Sequence, residues 1–136
     1  MLAPASNQAQ EGAGQAALPR TPAPPGAMVY FISPQDGAEV SSPFTVRFGL
    51  RGMGVAPAGV TAPNTGHHHL LINVEEFDEG LPLPMTDQVR HFGAGQTETQ
   101  LELPPGTYTL QLVLGDALHI PHDPPVRSER ITITVR

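Results

Sequence analysis

The chain has 136 residues and a formal charge of −6, with six histidines, no cysteine, no tryptophan, 16 prolines and 14 glycines. That length fits one domain, and the proline and glycine content argues against long helices, because proline breaks the helical hydrogen-bond ladder and glycine loses backbone entropy in it. With no basic block and few aromatic residues there is nothing to neutralise phosphates or stack bases, which excludes a nucleic-acid surface, and no apolar run is long enough to form a transmembrane segment.

From Met1 to Ala27 the residues are almost all Ala, Pro, Gly, Gln, Ser, Thr and Asn, with only Glu11 and Arg20 charged. A segment of that kind buries too little apolar surface to offset its ordering entropy. It predicts a disordered tether over 1–27, followed by a folded domain over 28–136. A basic region followed by an apolar stretch, as in an export signal, is not visible, and an exported protein would have lost it. The lack of cysteine is compatible with cytoplasm and periplasm alike.

Strand signals recur after Met28. Val29-Tyr30-Phe31-Ile32 is an apolar run closed by Ser33-Pro34, and Asp36-Gly37 marks a turn. Phe44, Val46 and Phe48 alternate with Thr45 and Arg47, predicting a half-buried strand over 44–50. Further strands are expected over 69–74, 97–103, 107–114 and 129–135, with a short or irregular one somewhere in 76–90. Several short strands punctuated by turns, without a helical pattern, predict an all-β fold: an antiparallel β-sandwich of immunoglobulin-like or fibronectin-like topology.

All six histidines lie between Gly66 and Asp123, as His67-His68-His69, His91, and His119 with His122. Imidazole is the commonest protein metal ligand, and a chain without cysteine builds a transition-metal site from His, Met and carboxylates. In the expected sandwich the connection ending at His69, the stretch before 97 and the connection after 114 meet at one pole, so the three groups converge there. Strand alternation sends His67 and His69 to one face and His68 to the other, where it shares parity with Leu70, Ile72 and Val74. His68 is therefore expected to point toward the core and bond a buried partner.

The metal ligands expected on this basis are His67 and His69, with His119 or His122, His91 nearby, and Met53 when the metal is Cu(I). Copper is the first expectation and zinc the alternative. Binding is expected to weaken as pH falls through the ordinary histidine range near about 6.5. Replacing His67 and His69 with alanine is expected to remove binding and leave the sandwich folded, because both are read as loop-end residues. The competing reading makes the histidines hydrogen-bond partners for a proline-rich backbone and Met53 a gap-filler. Asp116, Asp123, Gln96 and Glu98 are the acceptors expected to orient imidazoles.

No catalytic residue is assigned. The chain offers no cysteine and no serine in a Gly-x-Ser-x-Gly context, and Gly52-Met53-Gly54 and Gly93-Ala94-Gly95 lack the lysine and helix of a phosphate loop. Glu75, Glu76, Asp78 and Glu79 do not have calcium-loop spacing and read as a solvated hairpin face.

Four blocks also carry a resemblance: Gly52-Met53-Gly54-Val55-Ala56-Pro57-Ala58-Gly59; Asn64-Thr65-Gly66-His67-His68-His69-Leu70-Leu71-Ile72; His91-Phe92-Gly93-Ala94-Gly95-Gln96-Thr97-Glu98; and Leu114-Gly115-Asp116 with His119-Ile120-Pro121-His122-Asp123-Pro124-Pro125-Val126. In order, from Val29 to Arg136, the chain resembles the bacterial family called domain of unknown function 4399. The resemblance implies an exported, small free-standing module, hence a periplasmic location, and no activity comes with it. The expected function is a periplasmic metal-binding module, a carrier or sensor, whose partners are the metal ion and a periplasmic protein. The alternatives are a metal-dependent enzyme with an open His-ligated site and a structural or adhesive module without metal.

Overall fold

The computed structural model describes residues 19–136, and among them every regular element is a strand. Nine strands run in chain order: β1 (Met28–Ser33), β2 (Glu39–Val40), β3 (Phe44–Arg51), β4 (Gly54–Val55), β5 (Thr65–Ile72), β6 (Val89–His91), β7 (Glu98–Leu101), β8 (Gly106–Gly115) and β9 (Ile131–Val135). Three form one sheet, in the order β1-β3-β7, and six form the other, in the order β2-β9-β8-β5-β4 with β6 also paired to β5. All pairings are antiparallel except β2 with β9 and β4 with β5.

The sandwich core follows from period-two alternation. Val29, Phe44, Val46, Phe48 and Leu101 of the smaller sheet meet Leu70, Ile72, Leu110, Leu112, Leu114, Ile131, Ile133 and Val135 of the larger one. The larger sheet is also covered on its outer face. Leu71 and Val113, which point away from the main core, pack with Val89 of β6 and with Leu83 of the long connection before it. A strand with both faces covered has no solvent-exposed side, and every residue of β5 from Gly66 to Ile72 is buried.

β5 starts four residues earlier than the expected 69. Asn64 and Asn73 flank it, both in the left-handed region at φ 57°, a conformation asparagine tolerates better than most residues. Asn73 closes the strand by exchanging hydrogen bonds with Thr109: its N–H donates to the Thr109 carbonyl, and its Oδ1 accepts the Thr109 N–H. Consequently His67, His68 and His69 lie inside a central strand, paired with Gly115, Leu114 and Val113. They are not loop-end residues, as the sequence suggested. The irregular strand expected in 76–90 is β6, which places His91 directly across from His69.

The expected tether overlaps the folded chain. Residues 1–18 lie outside the described residues, but Thr21 to Ala23 pair with Asp123: the Asp123 N–H donates to the Thr21 carbonyl at 3.0 Å, and the Ala23 N–H donates to the Asp123 carbonyl at 3.0 Å. Ordered chain thus begins ahead of Met28. Among the described residues no helix is long and apolar enough to cross a membrane.

Candidate metal centre

Side chains 67, 69 and 71 of β5 all point to the outer face of the larger sheet. Leu71 joins the small apolar cluster there, and His67 and His69 stand beside it toward the end where β8 gives way to the loop 116–122. That loop brings in His119, and β6 brings in His91. The four rings make a tight group, with centroids 4.5 Å apart for His67 and His69, 4.5 Å for His69 and His91, 4.7 Å for His67 and His119, and 4.8 Å for His91 and His119. Three groups of histidines that are distant in sequence therefore do meet, on the outer face of one sheet rather than in open loops at a pole.

His119 Nδ1 is the hub. It lies 2.9 Å from His67 Nε2, 3.2 Å from His69 Nε2 and 3.2 Å from His91 Nδ1. The ligand atoms of His67, His69 and His119 all fall within 4.8 Å of one another. The other nitrogen of His91, Nε2, sits 2.8 Å from the Pro84 carbonyl. A carbonyl only accepts, so Nε2 carries the proton and donates, which leaves the Nδ1 lone pair aimed at the hub.

Backbone groups fix the hub residue. His119 has φ 65°, the left-handed region, and is held there by a dense turn. Asp116 Oδ1 accepts the Leu118 N–H at 2.8 Å and the Ile120 N–H at 3.1 Å, the Asp116 N–H donates to the Ile120 carbonyl, and the His119 N–H donates to the Asp116 carbonyl. The His119 carbonyl in turn accepts the Leu83 N–H at 2.8 Å. The connection before β6 therefore touches the cluster twice, through Leu83 and through Pro84.

Two glycines make room. Gly115, the cross-strand partner of His67, has no Cβ, and one added there would come within 2.5 Å of His69 Cε1 and 3.3 Å of His119 Cα. Gly66 is similarly confined by the Gly115 carbonyl at 2.8 Å and the Leu114 side chain.

Burial and mutual repulsion favour the neutral form of His67, His69 and His119. Loss of hydration, then the neighbouring His119 and His91, lowers His67 from 6.5 to about 4. Loss of hydration, then His67, His91 and His119, lowers His69 to about 2 against a smaller opposing pull from the Val113 backbone. His119 is also lowered, by burial first and by His91 second, with Asp116 opposing. His67 and His69 are 1% and 0% exposed, while His91 and His119 are half-buried, so solvent reaches the cluster from the loop side.

The remaining expected site residues lie elsewhere. His68 does point to the core, beside Phe48 at 5.0 Å between ring centroids, but neither of its nitrogens has the partner expected for it. Burial lowers it to about 4. His122 is fully buried, with Nε2 at 3.3 Å from the Thr65 carbonyl and Nδ1 unpartnered, and its ring joins none of the four-ring contacts. Met53 packs against the main hydrophobic core. Of the four acceptors expected to orient imidazoles, Asp116 shapes the loop rather than touching a ring. Gln96 accepts the Ala94 N–H, Glu98 pairs with Arg47 on the other sheet, and Asp123 binds the 21–23 segment. The sequence reading missed Gly115, the Leu83 and Pro84 contacts and the Thr21 to Asp116 bond. Only the Leu114-Gly115-Asp116 block held a signal for any of them, a glycine at a strand end.

A family model described as a domain of unknown function, DUF4399, matches residues 46–136, a shorter stretch than the resemblance from Val29 suggested. No curated protein and no solved structure matches the chain.

Proposed function

The chain belongs to the DUF4399 family, whose name carries no activity, and from the site itself we propose that it binds one transition-metal ion through His67, His69 and His119, with His91 as the fourth donor. The observation that carries this reading is the environment of His119 Nδ1, with three other imidazole nitrogens 2.9 to 3.2 Å away. One ring nitrogen has either one proton or one lone pair, so it forms at most one good hydrogen bond. The remaining contacts to it are then lone pair to lone pair or N–H to N–H, and a cation bound by the deprotonated nitrogens turns that repulsion into bonding. Tetrahedral coordination with metal–nitrogen bonds of about 2.0–2.1 Å places ligand nitrogens about 3.3 Å apart, so the three contacts to His119 Nδ1 need to open by only a few tenths of an ångström. The His91 bond to the Pro84 carbonyl supplies the outer partner that metal-bound histidines normally have.

The donors are all imidazole nitrogens. For such a set the order of divalent affinities puts copper above zinc, so copper is the proposed ion; Zn(II), which suits the tetrahedral spacing better than tetragonal Cu(II) does, is the second. Met53, packed in the core, takes no part. Two donors on a rigid strand and two on the solvent side suit a carrier or sensor that exchanges its ion with a protein partner, and a chain without cysteine has no thiol for copper to oxidise in the periplasm. An open-site enzyme would want the ligands to floor a substrate cleft. The cleft of about 450 Å³ beside β6 is lined by His91 alone among the four.

Titration of the metal-free chain with Cu(II) and Zn(II) against a chromophoric chelator tests the reading. One equivalent is expected to bind, binding is lost in the double variant His67→Ala, His69→Ala, and it is retained in His122→Ala. Stoichiometric binding that survives the double variant refutes this ligand set.

A further inference from the structure

The hub histidine is held by a turn, and the turn is held by residues that precede the matched family region. Thr21 Oγ1 donates to Asp116 Oδ2 at 2.9 Å. This is the second oxygen of the carboxylate whose first oxygen gathers the Leu118 and Ile120 N–H groups around His119. Arg20 lays its guanidinium along the returning limb of the same loop, donating from Nε to the Pro121 carbonyl at 3.4 Å and from Nη2 to the His122 carbonyl. The Asp123 carboxylate lies 3.9 Å from that guanidinium. The bridge between Pro22 and Asp123 completes the attachment.

Loop 116–123 therefore receives hydrogen bonds on both limbs from a segment about a hundred residues away in sequence. Asp116 is 7% exposed, and a buried carboxylate oxygen that loses its donor is costly. The left-handed φ of His119 is itself unfavourable for a residue with a Cβ and persists only where surroundings enforce it.

We infer that Arg20 to Ala23 form a strap that sets how tightly the metal is held and how fast it leaves, by positioning His119 through Asp116. Thr21 and Arg20 are positioning residues; neither contacts an imidazole. The inference rests on the metal-binding reading above. It adds that the N-terminal segment regulates the site, so that an event pulling on or displacing that segment loosens one ligand while the two on β5 stay in place.

The test uses the full chain, with Cu(II) and Zn(II) salts as probes. Parent, Thr21→Val, Thr21→Ser and the double variant Arg20→Ala, Thr21→Val are compared for metal release into excess chelator and for amide exchange at Leu118 and Ile120. The double variant is expected to release metal about tenfold faster or more, the equivalent of about 1.4 kcal/mol. Exchange at Leu118 and Ile120 is expected to quicken while amides of β5 and β8 keep their protection. Thr21→Ser, which keeps the hydroxyl, is expected to behave as the parent, an outcome that general loss of packing does not produce. If the double variant fails to fold, Thr21→Val, which preserves side-chain shape, decides. Parent and valine variants with equal release rates and equal exchange overturn the strap and leave the metal site standing. A parent that binds neither metal overturns both.

Discussion

Replacing Gly115 with alanine asks whether the sheet was shaped around His69. Gly115 does not have positive φ, so alanine fits its backbone and the whole effect is steric. The new Cβ would lie 2.5 Å from His69 Cε1 and 3.1 Å from Nδ1, against an ordinary carbon–carbon contact of about 3.5–4.0 Å. The ring must retreat by about 1 Å. It is flanked by His67 and His91, each with its ring centroid 4.5 Å away, so it has no free direction in which to slide. Forcing a methyl into a packed site costs about 1–3 kcal/mol, and a metal bond tolerates displacements of only about 0.2 Å. Gly115→Ala is therefore expected to weaken Cu(II) and Zn(II) binding by about 10–100-fold, as loss of a group that orients a ligand does. The metal-free protein is expected to stay folded with a lower melting temperature. Gly54→Ala is the control, because its Cβ meets only the Thr65 methyl at 3.8 Å. Competition titration and thermal melting of both variants decide the matter. A folded Gly115→Ala protein with parental affinity refutes the claim that His69 is a ligand wedged by this backbone.

His68→Leu is expected to raise the melting temperature by the equivalent of about 1–3 kcal/mol, because it removes two buried nitrogens without partners from beside Phe48. Metal affinity should stay at the parental level, since His68 faces away from the four clustered rings. A lower melting temperature on thermal denaturation would contradict the first part. The pH dependence has two limbs. His67 and His69 are already neutral at pH 6.5 in the folded protein, and burial lowers His119 as well, so the fall in affinity is expected below the ordinary histidine value that the sequence suggested. Stability behaves in the usual way for buried neutral histidines. Above 6.5 neither folded nor unfolded His68 is protonated; below it the unfolded chain takes up a proton that the folded one refuses until about 4. Stability is thus full above 6.5 and declines toward 4, by roughly 3 kcal/mol from His68 alone. Denaturant midpoints that stay level from pH 7 to pH 4 would refute that assignment.

Much of the fold was legible because the strands of the sandwich alternate. Phe44, Val46 and Phe48, and Ile131, Ile133 and Val135, announced their inner faces, and the split of His67 and His69 from His68 followed from the same period. The start of β5 was not legible, because a strand covered on both faces loses alternation, and Gly66-His67-His68-His69 reads equally well as a turn and as strand. That single error moved the histidines from the middle of a sheet to a loop end. It also produced the expectation that their removal would be structurally free, whereas two fully buried side chains leave cavities. Arg20 and Thr21 stood in a stretch of alanine, proline and glycine that predicts disorder. Their role depends on carbonyls of Pro121 and His122 and on a carboxylate at Asp116, partners that no local pattern can reveal.

The placement of donors also bears on what the site is for. A centre built wholly on β5 and its neighbours would be as rigid as the sheet, and exchange of its ion would require strands to part. Here the central strand contributes two of the proposed donors, His67 and His69, and burial keeps both neutral down to about pH 4. The hub donor comes instead from a loop in a strained conformation, held by Asp116, by Leu83 and by residues ahead of the matched family region. A strained loop held by separate side-chain bonds opens at lower free energy than a sheet with a continuous ladder does. Ion entry and exit are therefore expected to run through displacement of His119, with His67 and His69 as the last to let go. The order is testable in the same release experiment: destabilising the 116–123 loop should speed release, while strengthening the sheet core with His68→Leu should leave the rate unchanged.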